Sequence, residues 1–366
     1  ATKEVVYVLE RQGFIRPHMA DENDKRTIYM VDMHEPLMFL HNLDTTIKEP
    51  FASNPAVLDA VEKNHKKLQI AMTKLYPGNL VLSLSSGIMY HRLVDRITAL
   101  NDVPREPLVP RRLGKNMCVP FGKILRGKVV PNTVTKTLHT DKVYEPDLNS
   151  FTIEPFPYYS PLKSQIETIK SFDRPVILVD DLVHTANRLQ VLVPQFREDG
   201  IPIKKVVVGV LSGYGRDLMQ CLKVPVESIY SMPNLRQWFV ESTLYPFIGG
   251  DTVRREEMKV AGLQPSINMI LPYATPRLSG CSREALVEFS ACCIENSRDL
   301  FQVLEAEYRK MYAKNLTLSR LSEAVILPLC PDKGSCMEYD ENLAASVYLE
   351  NDLETLWRMK EFLIKG

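Results

Sequence analysis

Short apolar runs alternate along this chain with longer stretches in which apolar residues return every three or four positions. That is the pattern of strands and helices in turn. In residues 55–75, Val57, Ala60, Val61, Leu68 and Met72 fall on one side of a helix, because positions three and four apart share a face. Pro77-Gly78 ends it. A strand over 79–83 follows, then a small-residue loop Leu84-Ser85-Ser86-Gly87, then a helix over 89–100. Residues 150–159, rich in proline and aromatic rings, read as a loop, and 162–169 as a short helix. Four consecutive apolar residues at 176–179 predict a buried strand, since strands covered on both faces read as unbroken apolar runs. The helix predicted over 189–196 carries Pro194, which implies a late start or a kink, and it stops at Asp199-Gly200. Residues 204–211 form the next strand, and a strand, helix and parallel strand in succession connect right-handedly. Ser212-Gly-Tyr-Gly215 reads as a turn at that strand's carboxyl end. Trp238, Phe239, Tyr245 and Phe247 read as core packing. Amphipathic helices are expected over 283–312 and over 343–364, the latter interrupted near Asn351.

The strand at 176–179 ends in Asp180 and Asp181, followed by Leu-Val-His184-Thr185-Ala186-Asn187-Arg188. In an open parallel sheet, ligands bind outside the carboxyl ends of the strands, so charges placed there are positioned to grip one. The plainer alternative is that Asp181 caps the next helix and His184 is an ordinary loop histidine. The run resembles the signature of type I phosphoribosyltransferases, in which an apolar strand, two acidic residues, two apolar residues and a Thr-Gly-x-Thr loop bind phosphoribosyl pyrophosphate. The resemblance implies an α/β fold with a parallel-sheet core, to which the helical pattern of the last third adds a C-terminal helical extension. It puts Asp180 and Asp181 on the ribose hydroxyls, and wraps His184, Thr185, Ala186, Asn187 and Arg188 around the 5'-phosphate. It also makes Ser85, Ser86 and Gly87 a pyrophosphate loop, and implies Mg2+ bridging pyrophosphate and ribose. His184 falls where the 6-oxopurine members carry an acidic residue proposed as a base, a task that suits histidine near neutral pH. This chain departs from the signature at two positions. Ala186 stands in place of glycine, and a non-glycine residue in left-handed geometry costs roughly 1–2 kcal/mol. Arg188 stands in place of the second threonine, and offers phosphate a planar fork of donors.

A length of 366 residues exceeds one ordinary domain. The expected division is an N-terminal segment over 1–53, a phosphoribosyltransferase-like domain over 54–255, and a helical extension over 256–366 packed on the sheet. The first segment shows a helix-like run to Leu9 and Gln12, a Gly13-Phe14 stop, a charged loop over 20–26 and an apolar strand over 28–32. It weakly resembles the closing segment of GNAT-type N-acetyltransferases and reads as the remnant of a preceding domain; the acetyl-CoA phosphate loop is missing, so no acetyl transfer is implied. Met117-Cys-Val-Pro-Phe-Gly122, Val134-Thr-Lys136 and Val179-Asp-Asp-Leu182 together resemble the rear portion of long bacterial cytidyltransferase-related proteins. That resemblance implies further domains of a longer polypeptide as partners.

Lys plus Arg equals Asp plus Glu at 45 each, which removes a global electrostatic argument for nucleic acid or an anionic membrane. The chain shows neither an apolar run long enough to span a bilayer nor the plan of a signal peptide, so a soluble cytoplasmic protein is expected. Its seven cysteines include no Cys-x-x-Cys pair, in keeping with a reducing compartment. Cys292 and Cys293 read as small buried hydrophobes, and Cys330 and Cys336 lack the histidines and spacing of a zinc site, so no structural metal is predicted. The one strong charge asymmetry lies in residues 105–142, where nine Lys or Arg residues face only Glu106 and Asp141. With Lys123 and Arg126 near its middle, this segment is expected to lie as a basic hood over an anion in the crevice, the alternative being a solvated basic surface. Two functions stand side by side. One is a pentosyltransferase moving a phosphoribosyl group to a nitrogen base with loss of pyrophosphate. The other is a non-catalytic nucleotide or sugar-phosphate module of a larger nucleotidyltransferase-related protein.

Overall fold

The computed structural model describes residues 15–19, 27–31, 35–110, 112–255, 260, 262–276, 278, 280–333 and 338–365. Strands β1 (Ile15–Met19) and β2 (Thr27–Val31) pair antiparallel. β3 (Leu37–His41) precedes helix α1 (Pro55–Leu75), which starts where the Asn54 side chain accepts hydrogen bonds from the Ala56 and Val57 amides. β4 (Val81–Ser85) runs directly into α2 (Ser86–Leu100). Next come β5 (Met117–Pro120), β6 (Val134–Thr135), β7 (Thr140–Tyr144), β8 (Phe151–Pro155) and α3 (Leu162–Lys170). β9 (Val176–Val183), α4 (Asn187–Glu198), β10 (Ile203–Ser212), α5 (Gly213–Cys221) and β11 (Val226–Met232) then alternate strand with helix. The chain continues through β12 (Gln237–Val240), the single turn α6 (Glu241–Leu244), β13 (Asp251–Val253) and β14 (Gln264–Ile267). It ends with α7 (Arg283–Tyr312), β15 (Leu329–Pro331) and α8 (Ala345–Lys365).

The fold is α/β, as the strand and helix periods predict. Seven strands form one sheet in the order β1-β2-β11-β10-β9-β5-β6, parallel except for β1. β9 lies inside it, and the apolar run at 176–179 is buried. Val176 and Leu178 pack with Ile166 of α3, Leu192 and Phe196 of α4 and Val206 of β10. Each such side chain taken out of water contributes about 1.5–3 kcal/mol.

The chain forms two compact units that interleave in sequence. The first comprises Ala1–Pro36, Ser85–Asp141 and Ile153–Gln237; the second comprises Leu37–Leu84, Lys142–Thr152 and Trp238–Gly366. The seven-stranded sheet belongs to the first. The second has its own core, with α1 and α8 both packed on α7, and Phe39, Phe247, Phe301, Leu304 and Leu349 buried together. A three-stranded sheet has the order β12-β3-β4, and a five-stranded one the order β15-β14-β13-β7-β8. These boundaries do not coincide with the divisions expected after residues 53 and 255. Residues 54–84 belong with the C-terminal part, and β2 of the N-terminal segment pairs with β11 in the large sheet.

Several local expectations are corrected. Ser85 closes a strand and Ser86 opens a helix, so no loop separates them. Part of the expected loop at 150–159 is strand β8. Ser212 is no simple turn residue, because its hydroxyl caps α5 by accepting from the Gly215 amide at 2.9 Å. α4 continues through Pro194, and α8 passes Asn351 without interruption. Beyond Asn351, Asp352 is buried against Lys333 and Tyr273. Phe239, Tyr245 and Phe247 are core residues, as their aromatic character suggested. The helix-like run to Gln12, the loop at 20–26 and Cys336 lie outside the described residues. No helix among the described residues is long and apolar enough to cross a membrane.

Candidate functional site

β5 leads to β6 on one side while β9 leads to β10 on the other, so the strand order reverses between β5 and β9. At such a reversal the connections diverge and leave a crevice beyond the carboxyl ends of the strands. The register between β5 and β9 ends where Pro120 faces Val179, and the Phe121 amide donates to the Val179 carbonyl at 3.0 Å. Asp180 and Asp181 follow at once and, contrary to what the apolar run at 176–179 suggested, are not the end of the strand, because β9 stays paired with β10 as far as Val183. Gly122 sits against both, since a Cβ there would lie 2.8 Å from an Asp180 oxygen and 2.5 Å from an Asp181 oxygen. Glycine is needed here for close approach.

The two carboxylates have different partners. Asp181 accepts from the amides of Lys123 at 2.7 Å and Ile124 at 3.1 Å, tying the turn after β5 to the second half of β9. Asp180 is 7% exposed; its Oδ1 accepts from the Asp181 amide at 2.8 Å and lies 3.6 Å from the Arg188 guanidinium. Burial raises the Asp180 carboxyl from 3.8 to about 7, with Arg188 working against the shift and the Asp181 charge adding to it. Near neutral pH this carboxyl is therefore divided between its acid and its anion.

Ala186 has φ 51° and ψ 20°. The position that is glycine in the resembled signature is thus left-handed here and filled by alanine, which stores about 1 kcal/mol of strain. Among the described residues no side chain caps α4 at this start, so its first-turn amides have no side-chain acceptor there. Asn187 donates to the Thr185 hydroxyl at 2.8 Å, and Gln190 donates to the Thr185 carbonyl at 3.0 Å, which sets the loop's shape. Arg188 adds positive charge to the same turn. His184 Nδ1 lies 2.8 Å from the Ser212 hydroxyl, and its ring meets Tyr214 edge-on at 5.9 Å. Burial lowers the His184 pKa, which favours the uncharged imidazole.

The basic segment is in part built into the sheet. It supplies β5 and β6, and several of its cations have protein partners: Arg105 pairs with Asp95 at 3.0 Å, Lys128 lies 4.4 Å from the Tyr90 ring centre, and Lys142 lies over Tyr144 and Phe151. Lys123 serves Asp181 through its backbone, and its side chain is exposed. Arg126 differs. Its guanidinium lies 5.0 Å from the Phe156 ring centre, and burial and the Arg188 charge lower its pKa, while Asp141 and Asp181 oppose the shift. Two guanidiniums and two carboxylates therefore act on one another around the second half of β9. Alongside, His139 stacks on Tyr159 with centroids 3.7 Å apart and planes at 17°. Among the described residues its buried Nδ1 has no hydrogen-bond partner, and burial, then Arg126 and Lys136, lower its pKa.

The structure thus brings Asp180, Asp181, Arg126 and Arg188 together, with Thr185, Ala186 and Asn187 in the adjoining loop and His184 on Ser212. Ser85, Ser86 and Gly87 sit where β4, a strand of the three-stranded sheet, meets α2. Sequence reasoning passed over the part played by Gly122 and missed His139 and Tyr159. Gly122 had a trace, as the last residue of Met117-Cys-Val-Pro-Phe-Gly122; the stacked pair had none.

No family model matches the chain, and no curated protein matches it. Among solved structures, it is similar to a purine phosphoribosyltransferase from Pyrococcus horikoshii Ot3, with 12% identity and a TM-score of 0.25, over 42% of this chain and 87% of that one.

Proposed function

We propose that the crevice beside Asp180 and Asp181 binds a ribose phosphate, either phosphoribosyl pyrophosphate or a nucleotide. The observation that carries this reading is the gathering of Asp180, Asp181, Arg126 and Arg188 beside Gly122 and an uncapped helix start. A ribose diol donates hydrogen bonds and is met by carboxylates; a phosphate accepts them and is met by guanidiniums and helix amides. Carboxylate oxygens are also the hard donors that Mg2+ takes, so Asp180 and Asp181 fit an ion arriving with a pyrophosphate-containing ligand. That ion would supply charge neutralisation on the ligand's phosphates.

Binding without turnover is the favoured form, because Asp181 already holds two amides and Asp180 is only partly ionised at neutral pH. Transfer of the phosphoribosyl group to a nitrogen base is the second reading, favoured by the imidazole of His184, which sits on Ser212 and whose pKa burial lowers. A regulatory or sensing part in a longer nucleotidyltransferase-related polypeptide accords with the first. Isothermal titration with phosphoribosyl pyrophosphate and nucleoside monophosphates, with and without Mg2+, tests the proposal. Asp180→Asn with Asp181→Asn is expected to weaken binding, each charge-assisted bond contributing about 1.5–3 kcal/mol. Ala186→Gly with Arg188→Thr weakens binding if Arg188 holds the phosphate and improves it if the native loop is a degraded grip. Pyrophosphate release in the presence of nitrogen bases separates transfer from binding. A folded protein that binds none of these ligands would discard both forms.

A further inference from the structure

A second group of chemically capable side chains lies in the unit built from α1, α7 and α8, and owes nothing to the ribose-phosphate reading. β3 ends in His41, α1 carries His65, and Glu241 opens the turn α6 directly after β12, the strand beside β3. Both imidazoles turn Nδ1 to the same carboxylate oxygen: Glu241 Oε2 lies 2.9 Å from His41 and 3.0 Å from His65. One ligand atom from each of the three lies within 4.8 Å of the others, and the two rings are in direct contact.

The surroundings of these three side chains suit a metal ion. Glu241 is fully buried, and among the described residues its ion-pair partners are the two histidines. A carboxylate removed from water needs compensating charge or hydrogen bonds, and a divalent ion held by the same three side chains would supply that charge. The outer contacts fix the ligands in the manner usual around bound metals. His41 Nε2 meets the Ser83 hydroxyl, Glu241 Oε1 accepts from the Tyr245 hydroxyl at 3.0 Å, and that hydroxyl accepts from Asn296 at 2.9 Å. Two nitrogens and a carboxylate suit Zn2+ and its first-row neighbours better than Mg2+ or Ca2+, which prefer all-oxygen shells. Three protein ligands leave a position for water or a small ligand, and the His65 side chain, 22% exposed, gives the group contact with solvent.

We propose that His41, His65 and Glu241 bind one borderline divalent transition ion, Zn2+ in the first instance. The rival is a metal-free hydrogen-bonded triad in which both rings donate Nδ1–H to Glu241. Titrating the full chain with Co2+ and then displacing it with Zn2+, followed by visible absorption and metal analysis, distinguishes them. About one ion per chain with an absorption band of low-symmetry nitrogen and oxygen coordination is expected. His65→Gln is expected to abolish it, and Ser83→Ala to weaken affinity about 10–100-fold, the usual consequence of losing an outer partner. Should His65→Gln fail to fold, Ser83→Ala decides alone. A folded wild-type chain that takes up neither ion, or uptake unchanged in folded Ser83→Ala, overturns the proposal.

Discussion

Gly122, Ala186 and Asp180 show how much of the candidate site single residues decide. Gly122 has no room for a methyl group between the two aspartates, so Gly122→Ala is expected to cost about 1–3 kcal/mol by overpacking and to lose ribose-phosphate affinity, read by thermal melting and titration. Ala186 is the opposite case. Its left-handed φ of 51° makes Ala186→Gly stabilising by about 0.5–1 kcal/mol, a rise in Tm that a neighbouring Ala→Gly inside a helix would reverse. The pH dependence follows from Asp180. Its folded pKa is raised, so the folded state holds this proton more tightly than the unfolded chain does. The carboxyl therefore contributes no penalty below about pH 4 and a growing one as pH rises toward about 7, where ionisation is complete only beyond that value. Asp180→Asn is expected to flatten this part of the stability profile, gaining relative to wild type above pH 7 and converging with it in acid. A wild-type profile that instead rises through pH 4–7 relative to Asp180→Asn would contradict the burial argument. The aspartates and Ala186 were legible in sequence because their types and spacing are local signals. The need for glycine at 122 was not, since it depends on carboxylates 58 and 59 positions away.

Among the elements, β9, α4 and β10 were the most legible, because an unbroken apolar run followed by a helical period has few other interpretations. Boundaries were less so. Whether Ser85–Ser86–Gly87 turns or continues into a helix depends on what packs on α2, and α2 lies over β10 where Gly209 leaves room for Met89. β8 was hidden by its prolines and rings, which mark loops locally but are tolerated where a strand runs at a sheet edge, as β8 does in the five-stranded sheet. Ser212 joins element and site. It caps α5 through Gly215 and holds His184, so Ser212→Ala is expected to cost about 1 kcal/mol of stability. If His184 handles a proton in transfer, the same change lowers turnover more than it weakens ligand binding; if the site only binds, affinity and stability change without any turnover to lose.

The whole chain departs furthest from a reading along the sequence because its two units are each assembled from separated segments. Contiguous division placed 54–84 with the parallel sheet, whereas α1 packs on α7 more than two hundred positions away, and no local pattern announces such a partner. His41, His65 and Glu241 were invisible for the same reason, being 176 and 200 positions apart where they meet. The two proposed sites consequently belong to different units, and this makes a joint prediction. A ligand that binds only the folded state stabilises what it binds by RT ln(1 + [L]/Kd), about 2.7 kcal/mol at a hundredfold excess over Kd. Local opening is suppressed first where the ligand is held. Hydrogen exchange with a ribose phosphate should therefore slow amides around 118–126 and 180–190, while exchange with Zn2+ should slow those around 38–42, 63–67 and 239–245. His65→Gln should erase the second pattern and leave the first, and Asp180→Asn with Asp181→Asn should do the reverse. Slowing of the same amides by both ligands, or loss of both patterns in one variant, would show that the assignment of one ligand to each unit is wrong.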